Sequence, residues 1–220
     1  MRKVFSVLTL ALVGTCFVSF ASFAQGRQTN RGHQFTVYRP PGNPAPHPIA
    51  DTKTTKSGAE FNLVSEEDLR AAGITDPRKF AAGSTNSKKA LEAWEDPSGM
   101  IWGNIAENED GSARFMNHKD ATDYCNSIGA ELPSREDFIR FREYMGAKPG
   151  SHEGYKPEIL PNLTYIDDKG DTHTRQFWSS IRADHPNFAF YFIGQNGVII
   201  NDFRGHVANI FSVRCVVARR

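Results

Sequence analysis

Apolar and polar positions alternate most regularly in the last third of the chain. The segments QFWSSI (176–181), NFAFYFIG (187–194), GVIINDF (197–203) and FSVRCVV (211–217) run at period two, or as short β-branched and aromatic blocks. That pattern predicts four strands. Asn196-Gly197, between the second and third, predicts a tight hairpin. Phe188, Phe190 and Phe192 alternate with Ala189, Tyr191 and Ile193, so both faces of this strand are apolar. It is expected to lie inside the sheet rather than at its edge.

Upstream the period becomes helical. In NHKDATDYCNSIGA (117–130), Ala121, Tyr124, Cys125 and Ile128 fall at i, i+3, i+4 and i+7 and share one face. A second helix follows in REDFIRFREYMG (135–146). Ser134 is its N-cap and Asp137 holds the reciprocal capping position. Phe138, Phe141 and Met145 form its inner stripe, and Gly146 stops it. GMIWGNI (99–105) predicts a strand before both helices, and AENEDGSARF (106–115) a polar turn. One strand, two helices and an antiparallel meander make an α+β domain over 95–220.

Ahead of that domain the pattern is weaker. VSEEDLRAAG (64–73), TDPRKFAAG (75–83) and SKKALEAW (87–94) predict a short helical extension over 61–94, with Ser65 and Asp76 as N-caps. Residues 25–60 are polar, with prolines at 40, 41, 44, 46 and 48, and offer little to bury. A disordered or extended tether is expected there. Residues 1–24 place Arg2 and Lys3 before an apolar run that ends at Ser22-Phe23-Ala24. These are the marks of a secretory signal peptide. The apolar run is short for a membrane span. LVGTC (12–16) loosely resembles a lipobox, but Thr15 fits poorly and the apolar run continues beyond Cys16.

Export changes the charge and the cysteine count. Without Arg2 and Lys3 the 26 basic residues become 24, against 25 acidic ones. A chain so balanced has no electrostatic footprint for nucleic acid or an anionic membrane. Cys125 and Cys215 are the two cysteines that remain after residue 24. In an oxidising compartment such a pair is expected to form one disulfide. Two isolated cysteines lack the C-x-x-C spacing of most zinc sites. The expected location is the periplasm, the outer surface or the medium.

Four stretches then align with a known pattern: DPSGMIWGNI (96–105), DATDYCNSIGAELPSREDF (120–138), FWSSI (177–181) and FSVRCVV (211–217). In this order they resemble the Lcl C-terminal domain family, a bacterial group similar to the C-type lectin-like fold. That family has a Gly-Leu-X-Trp strand, a helix ending in Tyr-Cys, then Leu-Pro-Thr-Arg-X-Glu-Leu, a Tyr-Trp-Ser-Ser strand and a closing Val-Arg-Cys-Val. Here these correspond to Gly99 to Trp102, Tyr124-Cys125, Leu132 to Phe138, Phe177 to Ser180 and Val213 to Val216. The resemblance covers about 125 residues and leaves 25–94 outside it. It implies a C-type lectin-like domain with two helices and a twisted antiparallel sheet. The two ends of the domain pair as strands, and loops on one side carry any binding function. It also implies a disulfide from the first helix to the last strand.

Candidate chemistry is sparse. Calcium-dependent lectins carry Glu-Pro-Asn and Trp-Asn-Asp signatures, and neither occurs here. DDKGD (167–171) and NEDG (108–111) offer carboxylates for calcium, but both also suit ordinary turns. No cofactor or metal is therefore expected. Formylglycine-generating, sulfatase-modifying enzymes share the broad architecture, but they use active-site cysteines that this chain lacks once its pair is bonded. No serine-hydrolase order, HExxH or phosphate loop appears, and His152, His173, His185 and His206 are scattered. Trp102, Trp178, Arg135 and Arg214 match family positions and are expected to be structural.

The binding candidates lie in two loops. RADHPN (182–187) and NDFRGHVAN (201–209) supply Arg182, Asp184, His185, Asp202, Arg204 and His206. Such groups hydrogen-bond sugar hydroxyls or pair with sulfate and carboxylate. The expectation is an exported, non-catalytic recognition or adhesion module for a glycan, an anionic polymer or a cell-surface protein. The alternatives are a structural or protein-partner module of the envelope, or a variant of the sulfatase-modifying type.

Overall fold

The computed structural model describes residues 52–160, 162–166, 170–181, 185, 187–203 and 209–218. The expected signal peptide, the tether up to residue 51 and most of the 167–171 turn lie outside these residues. Among the described residues, no helix is long and apolar enough to cross a membrane.

The described residues are mixed α+β, with four helices and a predominance of strand. In order these are β1 (Thr52–Thr54), β2 (Glu60–Leu63), α1 (Glu66–Ala71), α2 (Pro77–Ala82), β3 (Trp94–Glu95), β4 (Met100–Ile105), β5 (Phe115–Met116), α3 (His118–Ser127) and α4 (Arg135–Tyr144). There follow β6 (Thr164–Ile166), β7 (Thr172–Thr174), β8 (Gln176–Ile181), β9 (Phe188–Ile193), β10 (Ile199–Phe203), β11 (Phe211–Ser212) and β12 (Arg214–Ala218).

The helices form where local chemistry dictates. Ser134 and Asp137 make the reciprocal capping box at the start of α4, with Ser134 N–H donating to Asp137 Oδ2 at 2.7 Å. Asn117 caps α3, accepting from Asp120 N–H at 2.9 Å. Phe138, Phe141 and Met145 are buried as the stripe predicts, as are Ala121, Cys125 and Ile128.

The strands assemble into two five-stranded sheets, ordered β1-β2-β3-β4-β12 and β10-β9-β8-β11-β5, plus the β6-β7 pair. This corrects the single antiparallel sheet expected from the pattern, and β11 pairs with β8 in parallel. FSVRCVV is thus two strands. The chain leaves one sheet after Ser212 and joins the other at Arg214. Val213 sits between them, fully buried, with its carbonyl accepting from Ala106 N–H at 2.8 Å. β4 and β12 pair antiparallel, so the two ends of the 95–220 region meet as strands. β9 lies between β8 and β10 as expected, although Phe188 is exposed and Phe190 only half-buried. Its hairpin to β10 is closed by four residues, 194–197, with Ile193 N–H donating to the Val198 carbonyl at 2.8 Å.

Three features of the N-terminal region depart from the sequence expectation. Thr52–Thr54 pairs with Glu60–Leu63, so residues 52–60 belong to a β-hairpin rather than to the tether. SKKALEAW is not helical. It runs extended and ends in β3, which pairs with β2 and β4. Arg78 holds it that way by donating to the Ser87 carbonyl at 2.5 Å and to the Lys89 carbonyl at 3.1 Å. A helix would direct those carbonyls along its axis to the Leu91 and Ala93 N–H groups, and an eight-residue segment has too little intrinsic helicity to compete. Nor is 61–94 a separate extension. Val64, Leu69, Ile74 and Phe80 share one core with Ile101, Trp178 and the Cys125–Cys215 pair. Phe61 and Trp94 share a second core with Trp102, Phe138 and Phe192.

The disulfide joins α3 to β12, with the two Cα atoms 5.6 Å apart and a sequence separation of 90. Gly129 closes the α3 end at φ +77°, where an added Cβ would lie 2.2 Å from the Gly73 carbonyl oxygen. This close approach ties α3 to the α1–α2 connection.

Candidate functional site

The strand register sets the strand ends that border the two predicted binding loops at one end of the β8-β9-β10 ribbon. Ile181 pairs with Ala189, and Ala189 pairs with Asp202. β8 therefore ends, β9 begins and β10 ends in a single row. Of the six candidate residues, Arg182, Asp184, Arg204 and His206 lie outside the described residues. His185 and Asp202 are described. His185 is exposed, and its carbonyl accepts from Phe188 N–H at 3.0 Å. Its ring lies 6.1 Å from the ring of Phe188, edge to face. Asp202 is half-buried on β10. It shares a sheet face with Tyr191, whose phenol is pushed up by burial and further by the Asp202 carboxylate.

Of the four residues expected to be structural, Trp102, Trp178 and Arg214 are buried in the core, whereas Arg135 is exposed. Trp102 Nε1 donates to Asp96 Oδ2 at 2.9 Å, and Asp96 Oδ1 in turn accepts from Ser98 and Met100 N–H. Trp178 Nε1 donates to the Met116 carbonyl at 2.8 Å. Arg214 is buried, donates to the Gly103 carbonyl at 2.5 Å and lies against the Phe177 ring. Burial pulls its guanidinium down to about 9, which leaves it cationic at neutral pH. Arg135 rests over Phe190 and pairs with Glu136 at 3.5 Å. In the 108–111 turn, Asp110 accepts from the Ser112 hydroxyl and N–H, which holds its carboxyl below the usual range. Among the described residues, no group of three or more His, Cys, Asp or Glu could hold a metal ion.

A second site escapes the sequence pattern. Helix α2 and the residues after it, the β4–β5 connection and α3 enclose a polar cleft of about 220 Å³. Gly83 lies at its edge with φ +85°, where a Cβ would stand 2.6 Å from the Ile105 carbonyl oxygen and 2.8 Å from Glu107 Cγ. Only glycine lets the two segments close together. Glu107 is drawn in by its N–H, which donates to the Gly83 carbonyl at 2.9 Å. Its side chain is 3% exposed, and Oε1 accepts from Lys89 Nζ at 2.6 Å. Tyr124, from α3, turns its hydroxyl towards the Lys79 and Gly83 carbonyls at 3.4 Å. Arg114 lies over the Tyr124 ring, 5.9 Å from its centre. In the sequence Glu107 and Arg114 fall in a polar turn, Tyr124 on one helix face, and Lys79, Gly83 and Lys89 in the predicted helical extension. Nothing in their spacing marks them as a group.

Tyr124 provides a pH test of this packing. Its phenol is pushed up to about 12, chiefly by burial, with Asp76 and Glu107 adding to the shift and Arg114 opposing it. The fold thus favours the neutral form. The associated stability is complete below pH 10 and is lost as pH rises towards about 12. Buried Tyr155, which donates to the Gly194 carbonyl at 3.1 Å, shifts in the same direction. The unfolding free energy from urea titrations is expected to fall between pH 10 and 12, by about 2 kcal/mol for Tyr124. Tyr124→Phe should flatten that part of the profile, and an unchanged profile would contradict the burial.

No family model, no curated protein and no solved structure matches this chain.

Proposed function

We propose that this chain is an exported, non-catalytic recognition module with a C-type lectin-like fold of the Lcl C-terminal type. It binds a glycan or an anionic polymer through loops 182–187 and 201–209. The observation that supports the reading is the row Ile181, Ala189 and Asp202, which sets the strand ends bordering both loops at the same end of one ribbon. Rigid strands that present adjacent loops are the usual support for a recognition surface. Arg182, Arg204, His185 and His206 would meet sulfate or carboxylate, and Asp184 and Asp202 would accept from sugar hydroxyls. Support for the family reading comes from β4 pairing with β12 and from the α3-to-β12 disulfide. A disulfide and the absence of a spanning helix among the described residues are compatible with export.

The test is an array of neutral, carboxylated and sulfated glycans probed with the full-length secreted protein. Binding is expected, with at least about a tenfold loss in the Arg182→Ala/Arg204→Ala double variant, since two charge-assisted contacts disappear. An intact fold with no signal on any glycan would reject the glycan reading. A single stoichiometric protein recovered in a pull-down would favour the envelope protein-partner alternative.

A further inference from the structure

The cleft around Glu107 contains a polar group that the fold leaves unsatisfied. Glu107 Oε2 is buried and has no hydrogen-bond partner, while Oε1 is held by Lys89. A buried carboxylate oxygen without a donor is destabilising, and it is uncommon enough to call for an explanation. Lys89 is a weak plug for the site, since its side chain is 53% exposed and long. Immobilising such a chain costs side-chain entropy, and its ammonium is partly hydrated where it stands. An incoming ammonium group could displace it, satisfy both oxygens and release Lys89 to water.

The rest of the cleft defines what that ammonium must be attached to. Lys79 and Arg114 line it as cations, and Glu109 is the other carboxylate beside Glu107. Two cations beside the buried carboxylate disfavour a bare metal ion. Glu107 and Glu109 disfavour a phosphate. Arg114 lies over one face of the half-buried Tyr124 ring, which reduces the aromatic surface on which a sugar ring could stack. A ligand that carries both a positive group for Glu107 and a negative group for Arg114 and Lys79 matches the charges that line the cleft. The volume of about 220 Å³ suits a molecule of amino-acid size.

We propose that this cleft is a binding site for a small zwitterion of the α-amino-acid class. Its ammonium takes the place of Lys89 on Glu107, and its carboxylate pairs with Arg114 and Lys79. The site is made from α2 and the residues after it, the β4–β5 connection and α3, and it shares no residue with loops 182–187 and 201–209. It therefore stands or falls independently of the recognition reading.

The experiment is calorimetric titration of the full-length protein with the common L-amino acids. The corresponding amines and carboxylic acids, glucose, N-acetylglucosamine and inorganic phosphate serve as comparison ligands. At least one amino acid is expected to bind, and more tightly than its amine or acid analogue. Glu107→Gln and Arg114→Met should each weaken it by about tenfold or more, the loss of one charge-assisted contact. Lys89→Ala should tighten it, because the internal competitor is gone. Arg114 is exposed, so its variant keeps the test valid if Glu107→Gln fails to fold. The proposal is overturned if no amino acid binds, if the amine or acid alone binds as well, if Arg114→Met binds unchanged, or if Lys89→Ala weakens binding.

Discussion

Alanine at both Cys125 and Cys215 is expected to lower the free energy of unfolding by about 4 kcal/mol, from loop-closure entropy returned to the unfolded chain. The bond spans a separation of 90 residues, so it restricts the unfolded ensemble strongly. It also joins α3 to the strand that enters the first sheet, and both sulfurs are buried in one core with Trp178 and Val213. Burial predicts a second behaviour. The native protein should resist thiol reductants until denaturant opens it, because the reductant cannot reach either sulfur. Urea unfolding of oxidised, reduced and doubly substituted protein measures both effects. A change under about 1 kcal/mol would mean that the restriction on the unfolded chain counts for little here.

Trp102→Ala is expected to cost about 4 kcal/mol, within the range for deleting a fully buried aromatic. The ring is fully buried and packs 4.9 Å from the Phe141 ring and 5.7 Å from the Phe138 ring. Its Nε1–H also serves the buried Asp96 carboxylate at 2.9 Å. The two contributions can be separated. Trp102→Phe keeps much of the packing but removes the donor, so it should cost about 1–3 kcal/mol, the penalty for a buried acceptor left without its partner. Equal losses for both variants in chemical denaturation would mean that the hydrogen bond, not the packing, is decisive.

The candidate site was legible in the sequence only as a pair of loops. The alternation in 176–203 predicted the strands, and the pairing of Ile181, Ala189 and Asp202 brought their ends into one row. The Glu107 cleft was not legible. Gly83, Glu107, Arg114 and Tyr124 stand up to 41 residues apart, and their meeting depends on a close backbone approach at Gly83. SKKALEAW failed as a helix for a related reason. Its local propensity was modest, and Arg78 claimed its carbonyls from outside the segment.

By itself the sequence determined the parts governed by near neighbours. The capping box at Ser134 and Asp137, the inner stripe of α4, the buried face of α3 and the period-two strands all rest on groups within a few residues of each other. Cysteine counting likewise left a single possible bond within the chain after residue 24. Tertiary structure alone decided that residues 52–95 join the sheet and core of the following domain. It also decided that FSVRCVV changes sheets at Val213 and that Glu107 is buried beside Lys89. Those outcomes depend on which distant backbone groups and side chains are free to pair, and no local pattern encodes that.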